Sequence, residues 1–512
     1  MPSQKDKAIT ASDSNSDDSS ASTVQAQLAT DDGEHAEKGS SSQMSPQEPC
    51  ENNHYPSGLS LALILTSCFM CTLLTSLDRL IITTAIPKIT DEFKSVTDIA
   101  CSIVFIVGRA IAGLGAAGIL TGVIVIFVHA LPLHKRPLYQ GMFGAVFGIS
   151  SVTGPLLGGA FTSKVSWRWC FYINLPLGSV AAVVIYLILK IPDKEPTQLS
   201  IAAKLKQLDF YGTGCLVPGS VSMILALQWG GSSLAWNDRK VIALLVLSGF
   251  MFIGFVLFQS LLPKTATIPP RIFNQRSILA GFFSTICIGS QTTIFAFYIP
   301  IWFQAIQGVS AVESGIRFLP LVLSMVVSML SSGVLIRNIG YYTPVMIFGV
   351  CFMAIGAGLL YTLQVNAVSA QWIGYQIIYG LGAGCATQVP NIAAQTVLPK
   401  GDVPIGISLM YFGNFMGSAI FLSVSQNILN NQLLRRLQSI PGIDPGMILD
   451  NGVTSLTNLP QSIRGTVLVA YNEAIRRVFL LALILVCLAM LGASSLEWRS
   501  TKKDVDKMKA GN

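Results

Sequence analysis

Asp78, Arg79 and Arg109 stand inside long apolar runs, where a charge is costly and needs a reason. Asp78 and Arg79 lie late in the first run, within Leu77-Asp-Arg-Leu-Ile-Ile-Thr-Thr-Ala-Ile-Pro87. Neighbours in sequence point about 100° apart on a helix, so these two do not pair with each other. A carboxylate held at membrane depth can take up and release protons near neutral pH. The plainer alternative places both near the headgroups, with the arginine reaching to water. Arg109 opens the small-residue stretch Val107-Gly-Arg-Ala-Ile-Ala-Gly-Leu-Gly-Ala-Ala-Gly118. Its fixed positive charge could pair with a carboxylate on a cavity wall and couple protonation to movement; the alternative is a structural arginine bonded to backbone carbonyls. Gly113 and Ala117 follow it at i+4 and i+8, a stripe that lets two membrane helices approach closely. The same stretch spells Gly113-x-Gly115-x-x-Gly118, but the strand before it and the later acidic residue of a dinucleotide site are missing.

A third constellation is Gly148-Ile-Ser-Ser-Val-Thr-Gly154-Pro155-Leu-Leu-Gly158-Gly159. Proline in mid-span removes a backbone hydrogen bond and kinks the helix, while Gly154 and Gly158 permit tight packing, so a bent gating surface is expected. Late in the chain, Gln388, Asn391, Gln395 and Asn414 are candidates to bind a polar part of a substrate. Trp302, Phe303, Tyr375 and Tyr379 could stack on it, although most aromatics in such chains form interfacial belts.

Several chemistries find no support. There is no GxxxxGK[ST] loop for ATP, no HExxH and no Ser/His/Asp set in the apolar runs, so any transport is expected to draw on an ion gradient and no enzyme activity is expected. The four histidines do not cluster and the ten cysteines sit mostly within apolar blocks as small apolar residues, so no metal and no cofactor are expected.

These residues must be positioned by membrane helices. The chain is 51% hydrophobic and 12% charged with a mean hydropathy of +0.59, against about 25% charged for soluble chains. Apolar blocks of bilayer-spanning length, about 20 residues, recur from residue 59. Twelve spans are expected, near 59–87, 99–128, 140–162, 169–190, 209–229, 241–262, 278–303, 315–336, 344–364, 371–398, 404–429 and 475–496. Residues 1–57 carry ten acids and three lysines without apolar periodicity, and are expected to be a disordered cytoplasmic tail. They lack the basic stretch and apolar core of a secretory signal, so the first span is expected to direct insertion. Basic residues in the short connectors (His134-Lys-Arg136, Lys190 to Lys206, Lys264 to Arg276, Arg337, Lys400 and Lys502-Lys503) place both termini in the cytoplasm. The connector 430–474, with turns at Pro441-Gly442, Pro445-Gly446 and Asn451-Gly452, then falls outside. Anionic lipid accounts for the basic excess, so no nucleic-acid partner is expected.

The order LDRLIITTAIP, IVGRAIAGLGAAGI, GPLLGGAFTSKVSWRWCFYINLPLG resembles the major facilitator superfamily, from about residue 59 to 498. More narrowly it resembles the fungal drug:proton antiporter branch with fourteen spans, which includes mycotoxin efflux pumps of the aflatoxin type. The resemblance implies an all-α major facilitator fold in which Asp78 and Pro87 match the first-span motif. Arg109 and Gly113 match the arginine motif implicated in proton coupling, and Gly154, Pro155, Gly158 and Gly159 the antiporter motif. Leu80 and Ser150 depart from that pattern. So does the count, because the family's second and third spans are absent, with the junction near Ala100-Cys101. The implied organisation is an incomplete N-terminal half (58–190), two linking spans (191–265), a C-terminal half (266–498) and a cytoplasmic tail (499–512).

The function implied is proton-coupled export of a small, largely apolar organic compound, a fungal secondary metabolite, toxin or drug. The expected partners are protons, the substrate and the bilayer; the expected setting is a monomer in the plasma membrane, or else a vacuolar or vesicle membrane. Two other readings stay open: proton-driven uptake, for example of a siderophore chelate, and a truncated form that resides in the membrane without transporting.

Overall fold

In a lipid environment every backbone polar group must be satisfied internally, so long apolar blocks fold as helices. A computed structural model of the chain describes residues 56–93, 99–166, 168–189, 208–231, 234–263, 265–438 and 461–502. The described helices are, in order, α1 Gly58–Phe93, α2 Ile99–Ala130, α3 Arg136–Lys164, α4 Trp169–Tyr172, α5 Asn174–Ile188, α6 Phe210–Trp229, α7 Arg239–Leu261 and α8 Pro270–Phe273. They continue as α9 Arg276–Gln307, α10 Ala311–Ile339, α11 Thr343–Tyr361, α12 Ser369–Thr387, α13 Val389–Val397, α14 Val403–Leu437 and α15 Gln461–Ser495. Extended pairing among the described residues is confined to isolated bridges. Side chains cap several ends: Asp238 accepts from the Lys240 amide at 2.8 Å and Ser310 from the Glu313 amide at 3.2 Å. Gly308 and Gly340 end α9 and α10 at φ 67° and 85°, the left-handed turn that glycine takes without strain.

Helices stand at all twelve expected spans, and among the described residues ten stretches are long and apolar enough to cross a membrane. The other two are α3, rich in glycine and serine, and the pair α12–α13, which carries Gln371, Gln376 and Gln388. The expected span 371–398 is divided, because Pro390 lacks the amide that would continue α12. The expected loop 430–474 is shorter than its boundaries: α14 runs on to Leu437 and α15 begins at Gln461. Apolarity marks only the membrane-embedded part of a helix, and these two continue as polar helix beyond it. The turns at 441–452, the tail 1–55 and the connector 191–207 lie outside the described residues.

The larger core joins α9, α10, α11, α12 and α15 around Tyr298, Trp302, Phe303, Tyr379 and Phe479. Helix α9 runs through its centre, with 67% of its most apolar window buried. A smaller core joins α1, α2 and α3 through Ile64, Cys68, Ile124, Phe127 and Phe143, and reaches Val403 and Ile407 on α14. Helices α6 and α7 pack on each other, and the Ser248 hydroxyl donates to the Gly219 carbonyl at 2.9 Å. The start of α6 is tied to the end of α7 by Asp209, which accepts from the Gly212 amide, Gln259 and Thr267. Burial alone would push that carboxyl up, but these bonds together hold it below the usual carboxylate range.

Candidate functional site

The three intramembrane charges find partners on three different elements. Arg109 on α2 donates from Nη1 to Asp78 Oδ2 on α1 at 2.9 Å. The other carboxylate oxygen accepts from Asn174 Nδ2, at the start of α5, at 3.3 Å. Side-chain exposures of 31% for Arg109 and 21% for Asp78 leave the pair half-buried, neither sealed nor free in water. Arg79, one residue on, turns away and stacks its guanidinium on Phe415 of α14, 4.9 Å from the ring centroid. The 100° offset between neighbours thus sends Asp78 toward α2 and α5 and Arg79 toward α14. Chemically, a carboxylate beside a fixed cation and an amide donor can lose or gain a proton with a large change in its interactions, because protonation cancels the ion pair. Asn174 Oδ1 is buried without a partner. Sequence reasoning missed Asn174 and Phe415; an asparagine within the apolar Phe171–Leu177 run was the one available signal.

The glycine motifs separate. Around Arg109, an added Cβ at Gly108, Gly113, Gly115, Gly118 or Gly122 would meet nothing within 4 Å. Among the described residues, nothing packs against Gly113. Helix α2 is continuous through Gly113-x-Gly115-x-x-Gly118, which rules out the turn that a dinucleotide loop needs. On α3 the close approach falls earlier than expected. A Cβ at Gly141 would stand 2.5 Å from the Met329 carbonyl oxygen, and one at Gly148 2.6 Å from Val326, both on α10. Gly154 and Gly158 are buried, Gly159 is partly covered with open space around its would-be Cβ, and α3 continues as helix through Pro155.

Three of the four candidate amides come together at the α12–α13 break. Gln388, Asn391 and Gln395 are all buried; Asn391 Nδ2 donates to Gln388 Oε1 at 3.4 Å, and Gln395 Nε2 to the Asn391 carbonyl at 3.2 Å. The Gln388 amide lies against Gly144 of α3, so this cluster meets the N-terminal helices. Asn391 Oδ1 and Gln395 Oε1 have no partner, nor has either amide atom of Gln140, fully buried one turn before Gly144. Asn414 does not join them and packs against Gly289 of α9. Of the aromatic candidates, Tyr379 and Trp302 are core residues whose polar tips bond Gln291 and Asn472.

Comparison with known proteins follows the same pattern. The model of the Major Facilitator Superfamily matches residues 59–422. An MFS-type transporter of Claviceps purpurea is 44% identical over 90% of this chain and 88% of its own length. The rubrofusarin-specific efflux pump aurT of Gibberella zeae is 40% identical over 88% of this chain and 92% of that one. The efflux pump aflT of Aspergillus parasiticus is 40% identical over 89% of this chain and 99% of that one. The Claviceps alignment runs over 510 positions but takes up 90% of the 512 residues here, about 461, so roughly fifty positions have no counterpart in this chain. That is room for two spans of about 20 residues with a short connector, somewhat tighter than the usual allowance. With the family model matched over residues 59–422 and relatives 40–44% identical over about nine-tenths of the chain, this polytopic membrane protein belongs to the major facilitator superfamily.

Proposed function

We propose that the chain exports a small, largely apolar organic compound, of the kind fungal secondary metabolism produces, in exchange for protons. The observation that carries this reading is the Arg109–Asp78 ion pair, 2.9 Å long and half-buried between two membrane helices. Two relatives at 40% identity are efflux pumps, which supports an outward direction. In this reading Asp78 is the proton-exchanging group. Arg109 pairs with it until a proton or a conformational change breaks the pair, and Asn174 keeps it oriented. Gly113, Gly154, Pro155, Gly158 and Gly159 belong to the moving surfaces. Gln388, Asn391 and Gln395 offer hydrogen bonds along the path between the halves, which rock around it. Both termini face the cytoplasm, and the plasma membrane is the proposed location.

A second reading has its own support. The uncovered glycines of α2 and the roughly fifty absent positions favour a form that resides in the membrane without transporting. One experiment separates the two. Metabolite levels inside producing cells and in the medium are compared with the gene present, absent, and carrying Arg109→Ala or Asp78→Asn at equal protein level. Export predicts an intracellular rise on gene loss, and a fall in export of about tenfold or more in either variant, the scale of one lost charge-assisted bond. A protonophore should stop export likewise. Unchanged export in both variants removes the coupling role, and no effect of gene loss removes transport.

A further inference from the structure

At the level of Asp78, helix α1 is engaged on opposite faces. Leu77 and Ile81, an i, i+4 pair, are buried together with Cys170 of α4, and Phe161 of α3 and Ile173 pack against them. Asp78 stands beside this apolar contact and accepts from Arg109 of α2 and Asn174 of α5. Arg79 lies two positions past Leu77, about 200° further round the helix. It therefore points away from all four of these neighbouring helices, and it meets α14 instead.

What answers the Arg79 charge is an aromatic face. The guanidinium carbon stands 4.9 Å from the Phe415 ring centroid, and among the described residues no carboxylate pairs with it. Such a contact strengthens as water is removed from it, so it counts for more in an apolar span than on a wet surface. The ring is itself anchored. It stacks on Tyr411, one turn earlier in α14, with centroids 6.1 Å apart and planes 15° from parallel. Both rings pack against the smaller core, to which Val403 and Ile407 of the same helix belong. The place where Arg79 rests thus follows the position of α14.

We propose that Arg79 and Phe415 are a positioning pair that passes a change at Asp78 to the C-terminal half, with α1 as the lever. Asp78 and Arg79 are consecutive on one continuous helix, so neither side chain can swing about the axis without the other. While Asp78 is paired with Arg109, α1 is held at the rotation that sets Arg79 on Phe415. Loss of that ion pair lets α1 turn, which carries the guanidinium off the ring and frees α14 from α1. The inference rests on the reading of Asp78 as the proton-exchanging group; Arg79 and Phe415 exchange no proton and act through position alone.

The test uses the full chain in phosphatidylcholine nanodiscs, with nitroxides coupled to a ketone-bearing amino acid at Lys135 and at Gly401. These two exposed positions precede α3 and α14, at the end where Leu131 and Val403 share one core. The distance between labels is read by double electron–electron resonance. Asp78→Asn, which removes the charge as protonation does, should move most of the population to a second distance. That shift should be lost in Arg79→Gln and in Phe415→Leu, whose distributions should be the same with and without Asp78→Asn. Phe415→Tyr keeps the ring face and should keep the shift, and Arg79→Lys keeps the cation and should keep part of it. A contact that only supports the fold would lower the melting temperature and leave the response to Asp78→Asn intact. The two disruptive variants are independent, so if one does not fold the other decides. A shift as large in the folded variant as in the parent chain overturns the link and leaves the proton-exchange reading standing. No shift on Asp78→Asn in the parent chain overturns both.

Discussion

Helices α2 and α3 follow one another in the chain and carry glycine at similar density, yet one glycine face is filled and the other is bare. On α3, Gly141, Gly144 and Gly148 accept Met329, Gln388 and Val326 so closely that a Cβ at any of them would come within 2.8 Å of a neighbouring atom. On α2, five glycines from Gly108 to Gly122 face open space, and Ile111 and Leu114 beside them are 67% and 78% exposed. The difference teaches that small residues license a close approach without supplying the partner. For α3 the partner is α10, across the halves. For α2 no partner stands among the described residues, and the roughly fifty positions that relatives have and this chain lacks are the candidate. Arg109 stands on that bare stretch, its guanidinium held by Asp78.

The largest effect should come from filling both faces alike. Gly144→Leu forces a side chain into Met329 and Gln388 and should cost about 1–3 kcal/mol or more by overpacking, read as loss of folded protein in a detergent melt. Gly113→Leu meets nothing and should change stability by less than about 0.5 kcal/mol. Equal losses in the two variants would break the comparison, because they would require a neighbour for α2.

The helix positions were legible because a span must be long and apolar. Legibility failed where polar helix continues outside the membrane, as in 430–437 and 461–474, and at Gln388, where a break divides one expected span into two helices. For the site, Arg109 announced that it needed a partner, and Asp78 was the nearest carboxylate in an apolar run. Asn174 lies 96 residues from Asp78 and Phe415 over 300 from Arg79, and no local period encodes such meetings. Nor could spacing tell the filled stripe from the bare one, since both have the residues that close packing needs.

A sharper test restores the missing neighbour. Inserting the fifty or so additional residues of the Claviceps relative at the Ala100–Cys101 junction should give α2 a facing helix. Gly113→Leu should then become costly by about 1–3 kcal/mol, where it was neutral before. The measurement is the same detergent melt, comparing the substitution with and without the insertion. If Gly113→Leu stays neutral in the extended chain, the absent segment is not what the α2 glycines face.

The most local effect lies at the joint between the two helices. Arg136 begins α3, yet its guanidinium is 5% exposed and turns back to α2, with Nε donating to the Leu131 carbonyl and Nη2 to the Val128 carbonyl at 3.0 and 2.8 Å. These are carbonyls that the end of a helix otherwise leaves unpaired, and a cation there also suits the helix dipole. Arg136→Ala removes charge-assisted bonds worth about 1.5–3 kcal/mol locally. The two bonds fall on the terminal carbonyls of α2, whereas the first turns of α3 are clamped against α10 through Gly333 and Gly141. Hydrogen exchange should therefore speed up by about tenfold or more in 120–131 and stay unchanged in 137–148, with Arg136→Lys recovering part of the protection. Acceleration in α3 as large as that in α2 would mean that Arg136 serves both helices equally, and that α2 is held by more than its neighbours in this structure supply.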